Sequence, residues 1–306
     1  MDRMHPAVLS LMSGGAASAT AKTAVAPFER VKLLLQVGRG GATHPGVLST
    51  LSQTVRTEGA RALWRGNGTN CVRIVPTYAL RFAFFDRFRD LVTPDGYGER
   101  RDRRGRPLTL PLGRQMAAAA LSGAATMVLT HPLDNLRTRI STSATTQSVR
   151  ATVAQGGLYR GIVISLVEIT PYIAISLGGF EWVKAKVVRA ERGAGSCSGG
   201  DGGGGGEGDL AKLSPTQSLA IGWGCGLVAS LACYPLDTVK RRLMVAQASG
   251  RDGGSVRSCC TRLWAEGGGG PALFYRGCAV NALKSSPAAA MTFTFNDMFK
   301  TWLGVA

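Results

Sequence analysis

The sequence is poor in the residues that most enzymes use. Charged residues make up only 18% of the 306 residues, against about a quarter in a typical soluble domain, and there are three histidines. The seven cysteines form no Cys-x-x-Cys pair and lie near no histidine cluster, so we expect no metal site. Their odd number and irregular spacing also argue against a secreted disulfide framework. No catalytic Ser/His/Asp or Cys/His set can be recognised, and we expect neither an enzyme nor a bound cofactor.

Two further signals are absent. No Gly-x-x-x-x-Gly-Lys-Ser/Thr loop is present, so the sequence offers no site for work driven by ATP hydrolysis. The first residues, from Met1 to Pro6, contain no long Arg- and Ser-rich presequence. We therefore expect no cleaved targeting peptide, and any cellular address should be internal.

Positive charge dominates what is present. Lys and Arg total 36 against 19 acidic residues, which gives a net charge of +17. Such an excess indicates a nucleic acid, an anionic membrane surface or a small anion as partner. The hydrophobic content of 45% is enough for a large core and excludes global disorder.

One hexapeptide pattern, proline-x-acid-x-x-base, occurs three times. Its copies begin at Pro27, Pro132 and Pro235, which lie 105 and 103 residues apart, about a third of the chain each time. A single copy would mean little, since any helix can carry an acid and a base three residues apart. Three copies at constant spacing predict three repeats, at 1–108, 109–209 and 210–306. The second repeat ends in a Gly-rich linker at 193–209, and an Arg-rich loop lies at 97–106.

Two more patterns keep the same phase. An aromatic-Arg-Gly triplet begins at Trp64, Tyr159 and Tyr275, once in each repeat. A polar residue three positions before a proline is also followed, at fixed distances, by an acid and then by a base. These residues are Arg73, Asp86 and Arg89 in the first repeat, Glu168, Glu181 and Lys184 in the second, and Lys284, Asp297 and Lys300 in the third.

Each repeat contains two long, moderately apolar segments around a shorter polar one. The pattern predicts helices at 7–37, 70–92, 109–141, 165–189, 213–246 and 281–302. All are long enough to cross a bilayer, which takes roughly twenty residues. Charged residues such as Lys22 and Arg73 interrupt them, as expected of helices that face a wet cavity. We therefore predict an all-α membrane protein with six transmembrane helices in three pseudo-symmetric repeats.

These patterns are similar to those of the mitochondrial carrier family over the whole chain. The first repeat resembles ADP/ATP carriers most, from Lys22 to Gln36 and in Trp64-Arg65-Gly66-Asn67. The resemblance weakens later, because Glu168 stands where those carriers have glycine. The family implies a six-helix bundle with short surface helices on the matrix side, in the mitochondrial inner membrane. It also implies that both termini lie on the intermembrane-space side.

The repeated acid–base pairs predict two gates. Acid and base three residues apart share one face of a helix, and three copies around a threefold axis permit a ring in which each acid meets the base of another repeat. The matrix-side ring would pair Glu29 with Arg137, Asp134 with Lys240 and Asp237 with Lys32, with Gln36 as the one brace. The cytoplasmic-side ring would use Asp86, Arg89, Glu181, Lys184, Asp297 and Lys300. Two complete rings make alternating access feasible.

Arg73, Glu168 and Lys284 occupy equivalent positions between the gates. Lys22 and Arg81 add positive charge, so the cavity should attract anions. For Glu168 three options stay open: a pair with Lys284, a pair with Arg73, or recognition of an amino or protonated group. Two further residues, Ile169 and Tyr172, either line a slot for a nucleotide base or simply pack between helices.

The aromatic-Arg-Gly triplets are candidate lipid sites. Free backbone N–H groups at helix N-termini bind phosphates, and the family resemblance implies cardiolipin as the lipid. A plain turn is the alternative. The residues concerned are Trp64, Arg65, Gly66, Tyr159, Arg160, Gly161, Tyr275, Arg276 and Gly277.

The sequence and the resemblance together predict an antiporter of phosphorylated anions, with adenine nucleotides first among them. Coenzyme A-like nucleotides, or an amino or carboxylic acid suited to Glu168, are the alternatives within the family. Outside it stand a carrier-fold protein that does not transport and a basic nucleic-acid-binding protein. The charges lie at repeated positions inside apolar helices, so we expect no nucleic acid partner. We also expect a monomer.

Overall fold

A computed structural model describes residues 6–38, 46–93, 111–143, 148–195, 214–246 and 255–284, together with Phe295 and Met298. Within these ranges the regular structure is helical, without a strand. The Arg-rich loop 97–106 and most of the linker 193–209 lie outside the described residues.

Each repeat has a long first helix, then a short helix and a turn, after which the second helix begins. In the first repeat these are α1 (Pro6–Val37), α2 (Val47–Glu58), a 3-10 turn (Ala60–Trp64) and α3 (Asn67–Val92). In the second they are α4 (Leu112–Thr142), α5 (Val149–Ala154), α6 (Ile162–Ile173), a π-helical turn (Ala174–Gly178) and α7 (Gly179–Gly195). In the third they are α8 (Pro215–Ala246), α9 (Val256–Glu266), a 3-10 turn (Pro271–Tyr275) and the beginning of α10 (278–284).

The long helices agree with the predicted segments to within a few residues, with one difference in the second repeat. There the predicted helix 165–189 is continuous only through a π-helical turn, so it consists of α6 and α7. The sixth helix begins at 278, and its predicted part beyond 284 falls outside the described residues, apart from Phe295 and Met298.

Three spans in the described part of the chain are long and apolar enough to cross a membrane: Leu112–Thr142, Ile162–Ala190 and Thr216–Ala246. The helices α1 and α3, with 32 and 26 residues, have the length but are more polar. Small and hydroxyl residues lower the hydropathy of α1, and four arginines lower that of α3.

In each first helix, the residues just before the proline contact the aromatic-Arg-Gly triplet of the same repeat. A helical proline leaves the carbonyl four residues earlier without its usual donor. For Pro27 this is the carbonyl of Thr23, which accepts a 2.9 Å hydrogen bond from the Trp64 indole. In the third repeat Tyr234, just before Pro235, donates to the Arg276 carbonyl at 2.9 Å and stacks on Tyr275.

The second repeat uses a histidine for the same contact. His131, just before Pro132, lies 3.1 Å from the Arg160 carbonyl through its Nε2 atom and stacks on Tyr159. The triplet therefore fixes the second half of each repeat against its proline-containing first helix.

The glycine of each triplet lies where two repeats meet. Gly66, Gly161 and Gly277 have φ of 83°, 85° and 83°, a left-handed conformation that only glycine adopts without strain. A Cβ at Gly66 would collide with the Ser141 hydroxyl of the next repeat, and one at Gly277 would lie 3.3 Å from the Lys32 carbonyl. The three glycines thus permit both the turn and the close approach.

Three arginines tie each first helix to the C-terminus of another. Arg30 of α1 donates to the Ser141 carbonyl of α4, Arg139 of α4 to the Met244 carbonyl of α8, and Arg242 of α8 to the Gln36 carbonyl of α1, each at 3.0 Å. These acceptors belong to last helical turns, whose carbonyls have no partner inside the helix. The three contacts close a circle through all three repeats.

Arg139 provides a test of this circle. Besides Met244 it donates to the carbonyls of Gly156 and Gly157, at 2.8 and 3.0 Å, and it is 1% exposed. Arg139→Lys keeps the charge but cannot reach carbonyls in two directions, so we expect a loss of about 2–4 kcal/mol in stability. The measurement is thermal unfolding of the detergent-solubilised protein. The matched control is Arg150→Lys on the exposed face of α5, and equal melting temperatures for the two variants would contradict the assignment.

Candidate functional site

Six charged residues form a closed ring where α1, α4 and α8 converge, here called the first-helix ring: Glu29, Lys32, Asp134, Arg137, Asp237 and Lys240. Glu29 contacts Arg137, which joins the first and second repeats. Asp134 lies 3.7 Å from Lys240, which joins the second and third, and Asp237 lies 2.9 Å from Lys32, which joins the third and first. These are the three pairs expected from the sequence. All six side chains are 14% exposed or less.

Gln36 braces one of the pairs. Its amide nitrogen donates to Asp237 at 3.0 Å and lies 3.5 Å from the Thr238 hydroxyl. The lysine of the same pair, Lys32, also lies over the Tyr234 ring, 5.1 Å from its centre. The pair between the first and third repeats is therefore held by more than its two charges.

Arg241, which is not among the residues predicted from the sequence, contacts the first-helix ring. Its guanidinium lies 3.1 Å from Asp134 and 3.2 Å from Asp237, and it donates to the Thr138 hydroxyl at 2.7 Å. One side chain thus connects the acids of two repeats. The signal was present, because Arg241 follows Asp237 by four residues and so shares its helix face. Arg241 lies one residue beyond the repeated hexapeptide, so the repeat pattern does not include it.

A cavity of about 270 Å³ lies beside the ring, between α3, α4, α6 and α8. Five of the seven predicted substrate residues line it: Arg73, Arg81, Glu168, Ile169 and Tyr172. Three residues of the ring region, Asp237, Lys240 and Arg241, line it as well. A molecule in the cavity would therefore contact the ring directly.

The other two predicted substrate residues lie beside Glu29. Lys284 approaches the Glu29 carboxylate to 3.4 Å and Lys22 approaches it to 3.9 Å. Neither is among the residues that line the cavity in the described part of the chain. Both lysines add positive charge to the ring rather than to the cavity wall.

Glu168 forms neither of the internal pairs considered from the sequence. Its carboxylate lies 3.7 Å from the Lys240 ammonium group, and of the options left open by the sequence, the pairs with Lys284 and Arg73 are not formed. The reason is geometric. Lys284 is held at Glu29, and Lys240 projects from the neighbouring α8 toward the cavity between Asp134 and Glu168.

The predicted cytoplasmic-side charges are arranged differently. Glu181 and Lys184 lie 3.7 Å apart within α7, and Arg89 lies 3.5 Å from its neighbour Asp90. Asp86 forms no ion pair with another repeat among the residues that can be described. Asp297 and Lys300 lie outside the described residues. Among the described residues, the first-helix ring is therefore paired between repeats, and no ion pair between repeats joins the charges of the other end.

The triplet residues lie at the surface of the bundle, beside the first-helix ring. The aromatic residues Trp64, Tyr159 and Tyr275 are 43%, 52% and 44% exposed. Arg65 binds Glu58 and the Ser143 carbonyl, both at 2.7 Å. Each triplet leads directly into the second long helix of its repeat.

The first helices of three repeats meet in a ring of ion pairs beside a charged cavity, an arrangement typical of a membrane carrier. A family model described as "Mitochondrial carrier protein" matches residues 4–96, 108–191 and 211–305. The chain belongs to the mitochondrial carrier family and is an all-α membrane protein.

Curated relatives are similar over nearly the whole chain. An ADP,ATP carrier protein of Neurospora crassa is 28% identical over 96% of this chain and 93% of its own length. An ADP,ATP carrier protein of Chlamydomonas reinhardtii is 30% identical, with 97% and 95% covered. A mitochondrial coenzyme A transporter of Xenopus tropicalis is 31% identical, with 96% and 85% covered.

The position of Arg241 generates a prediction. Arg241→Gln removes the cation that two buried carboxylates share, so we expect a loss of about 3–5 kcal/mol in the stability of the ring-paired state. Thermal unfolding in detergent measures it. Arg87→Gln, on the exposed side of α3, makes the same change without touching the ring and should leave the melting temperature unchanged. A bridging role for Arg241 fails if both variants melt together.

Proposed function

We propose that the protein is an antiporter of the mitochondrial inner membrane that exchanges phosphorylated anions, adenine nucleotides first among them. The observation that carries the proposal is the cavity, in which two arginines face an apolar wall beside a paired ring of charges. Relatives named as ADP,ATP carrier proteins match over more than nine tenths of their own length, which supports the same substrate class.

The arginines suit the phosphate groups. Arg73 and Arg81 are eight residues apart on α3, so they lie near one face of that helix, and both line the cavity. Guanidinium groups bind phosphate with two parallel hydrogen bonds. A di- or triphosphate chain would reach both of them.

The apolar wall suits the base. Ile169, Tyr172 and Ile173 of α6 line the cavity opposite the arginines of α3. Gly123 of α4 lets Ile169 pack closely, since a Cβ at Gly123 would lie only 3.2 Å from the Ile169 side chain. A flat aromatic ring would bury its faces against these residues.

The first-helix ring would serve as the matrix-side gate, with Gln36 as its brace and Lys22 and Lys284 as supporting charges. The residues at the other end, Asp86, Arg89, Glu181, Lys184, Asp297 and Lys300, would pair when the first-helix ring separates. Substrate binding must then offset the loss of one ring while the other forms.

The proposal also covers the position of the chain in the membrane. The chain would cross the inner membrane six times as a monomer, with both termini on the intermembrane-space side. The triplets at Trp64, Tyr159 and Tyr275 would hold the phosphates of cardiolipin at the N-termini of the second helices. The exposure of these aromatic side chains, next to the first-helix ring, supports a lipid site there.

Coenzyme A is the second candidate substrate. The relative in Xenopus tropicalis, a mitochondrial coenzyme A transporter, is 31% identical over 85% of its length. Coenzyme A carries both an adenine ring and phosphate groups, so the same two arginines and apolar wall would serve it.

Liposomes loaded with ADP test the proposal. We expect the purified protein to take up labelled ADP or ATP in exchange, and Arg73→Gln to lower the rate about 10- to 100-fold, the effect of losing a charge-assisted contact of about 1.5–3 kcal/mol. Arg87→Gln is the matched control. Exchange of coenzyme A alone would select the second candidate. Uptake of aspartate without any nucleotide would refute the proposal, and no exchange of any anion would indicate a carrier fold that does not transport.

A further inference from the structure

Glu168 of α6 is an acid in a cavity to which α3 contributes two arginines. Its side chain is 21% exposed and lines the same space as Arg73 and Arg81. An anionic substrate gains nothing from a carboxylate at this place, so Glu168 needs a separate explanation.

The partner of Glu168 is a member of the first-helix ring. Lys240 lies at the same distance, 3.7 Å, from Glu168 and from Asp134. Asp134 also has Arg241 at 3.1 Å. Lys240 can therefore turn toward the cavity without leaving Asp134 unpaired, and it lines the cavity already.

The third repeat has the same contact with the charges reversed. There Lys284, at the position equivalent to Glu168, lies 3.4 Å from the ring acid Glu29. In both repeats the residue at this equivalent position binds a ring residue that belongs to a different repeat. In the second repeat that residue is the anion, and it lines the cavity.

We propose that Glu168 is an internal anion that holds Lys240 in the empty carrier and that the incoming substrate replaces it there. The inference rests on the proposed function, in that an anion enters the cavity. A phosphate oxygen that takes the place of the Glu168 carboxylate binds Lys240 on the cavity side. Binding thereby acts on the one ring pair that already divides its base between two acids.

Glu168 then acts as a positioning residue for Lys240 and as a competitor of the substrate. Removing its charge should raise the affinity for anions, because Lys240 no longer has a carboxylate on the cavity side. The gain should depend on Lys240 itself. A general reduction of negative charge in the cavity would raise the affinity whether or not Lys240 is charged.

The test is equilibrium binding of inorganic pyrophosphate to the purified full chain in detergent, by calorimetry. The variants are Glu168→Gln, Lys240→Gln and the double variant, with Asp90→Asn near the end of α3, where the side chain is 71% exposed, as the matched control. We expect Glu168→Gln to bind about tenfold more tightly than the wild type, Asp90→Asn to bind like the wild type, and the gain to vanish in the Lys240→Gln background. Glu168→Ser, expected to behave like Glu168→Gln, replaces it if that variant does not fold.

Each outcome decides the matter. Binding by Glu168→Gln where the wild type shows none supports the proposal. Equal or weaker binding by Glu168→Gln overturns it, as does a gain that persists without Lys240, or the absence of binding in both proteins. Nucleotide exchange in ADP-loaded liposomes is measured separately, so a failure of the proposed function is distinguishable from a failure of this inference.

Discussion

The structure depends on the neutralisation of buried charges at one place, where three proline-containing helices from three repeats converge. A charge moved out of water without a partner costs several kcal/mol. In the first-helix ring every acid finds its base in another repeat, so neutralisation is complete only when α1, α4 and α8 are together. The prolines, the triplet glycines and the arginines that bind helix C-termini all bring these helices to that point.

The same interaction suits a structure that must open. Ion pairs with small exposure gain little net free energy over their separated, hydrated partners, because the cost of desolvation offsets most of the attraction. The three pairs are also unequal. Asp237 has Lys32, Arg241 and Gln36, whereas Lys240 lies 3.7 Å from each of its two acids. The pair of Lys240 with Asp134 is therefore the weaker one, and its base, Lys240, lines the cavity.

Much of the fold and part of the site could be predicted from the sequence. Three copies of proline-x-acid-x-x-base at equal spacing fix the repeats, the long helices and, given a threefold arrangement, the ring pairs. The contacts of Arg30, Arg139 and Arg242 could not be predicted, because their acceptors are backbone carbonyls that carry no sequence signal. The partner of Glu168 could not be predicted either, since it depends on how far Lys240 projects from another helix. For the triplet glycines the sequence predicts lipid sites, and their position between repeats is visible only in the packing.

We predict that the first-helix ring separates when substrate is transported, and this separation can be measured directly. Spin labels at Val37 and Ala246, the last residues of α1 and α8, measure it in liposomes when introduced into a variant without the native cysteines. We predict one short distance in the empty carrier and a second, longer population when ADP is present on both sides. If the distance distribution stays the same with and without ADP, in a preparation that exchanges nucleotides, the first-helix ring does not separate during transport.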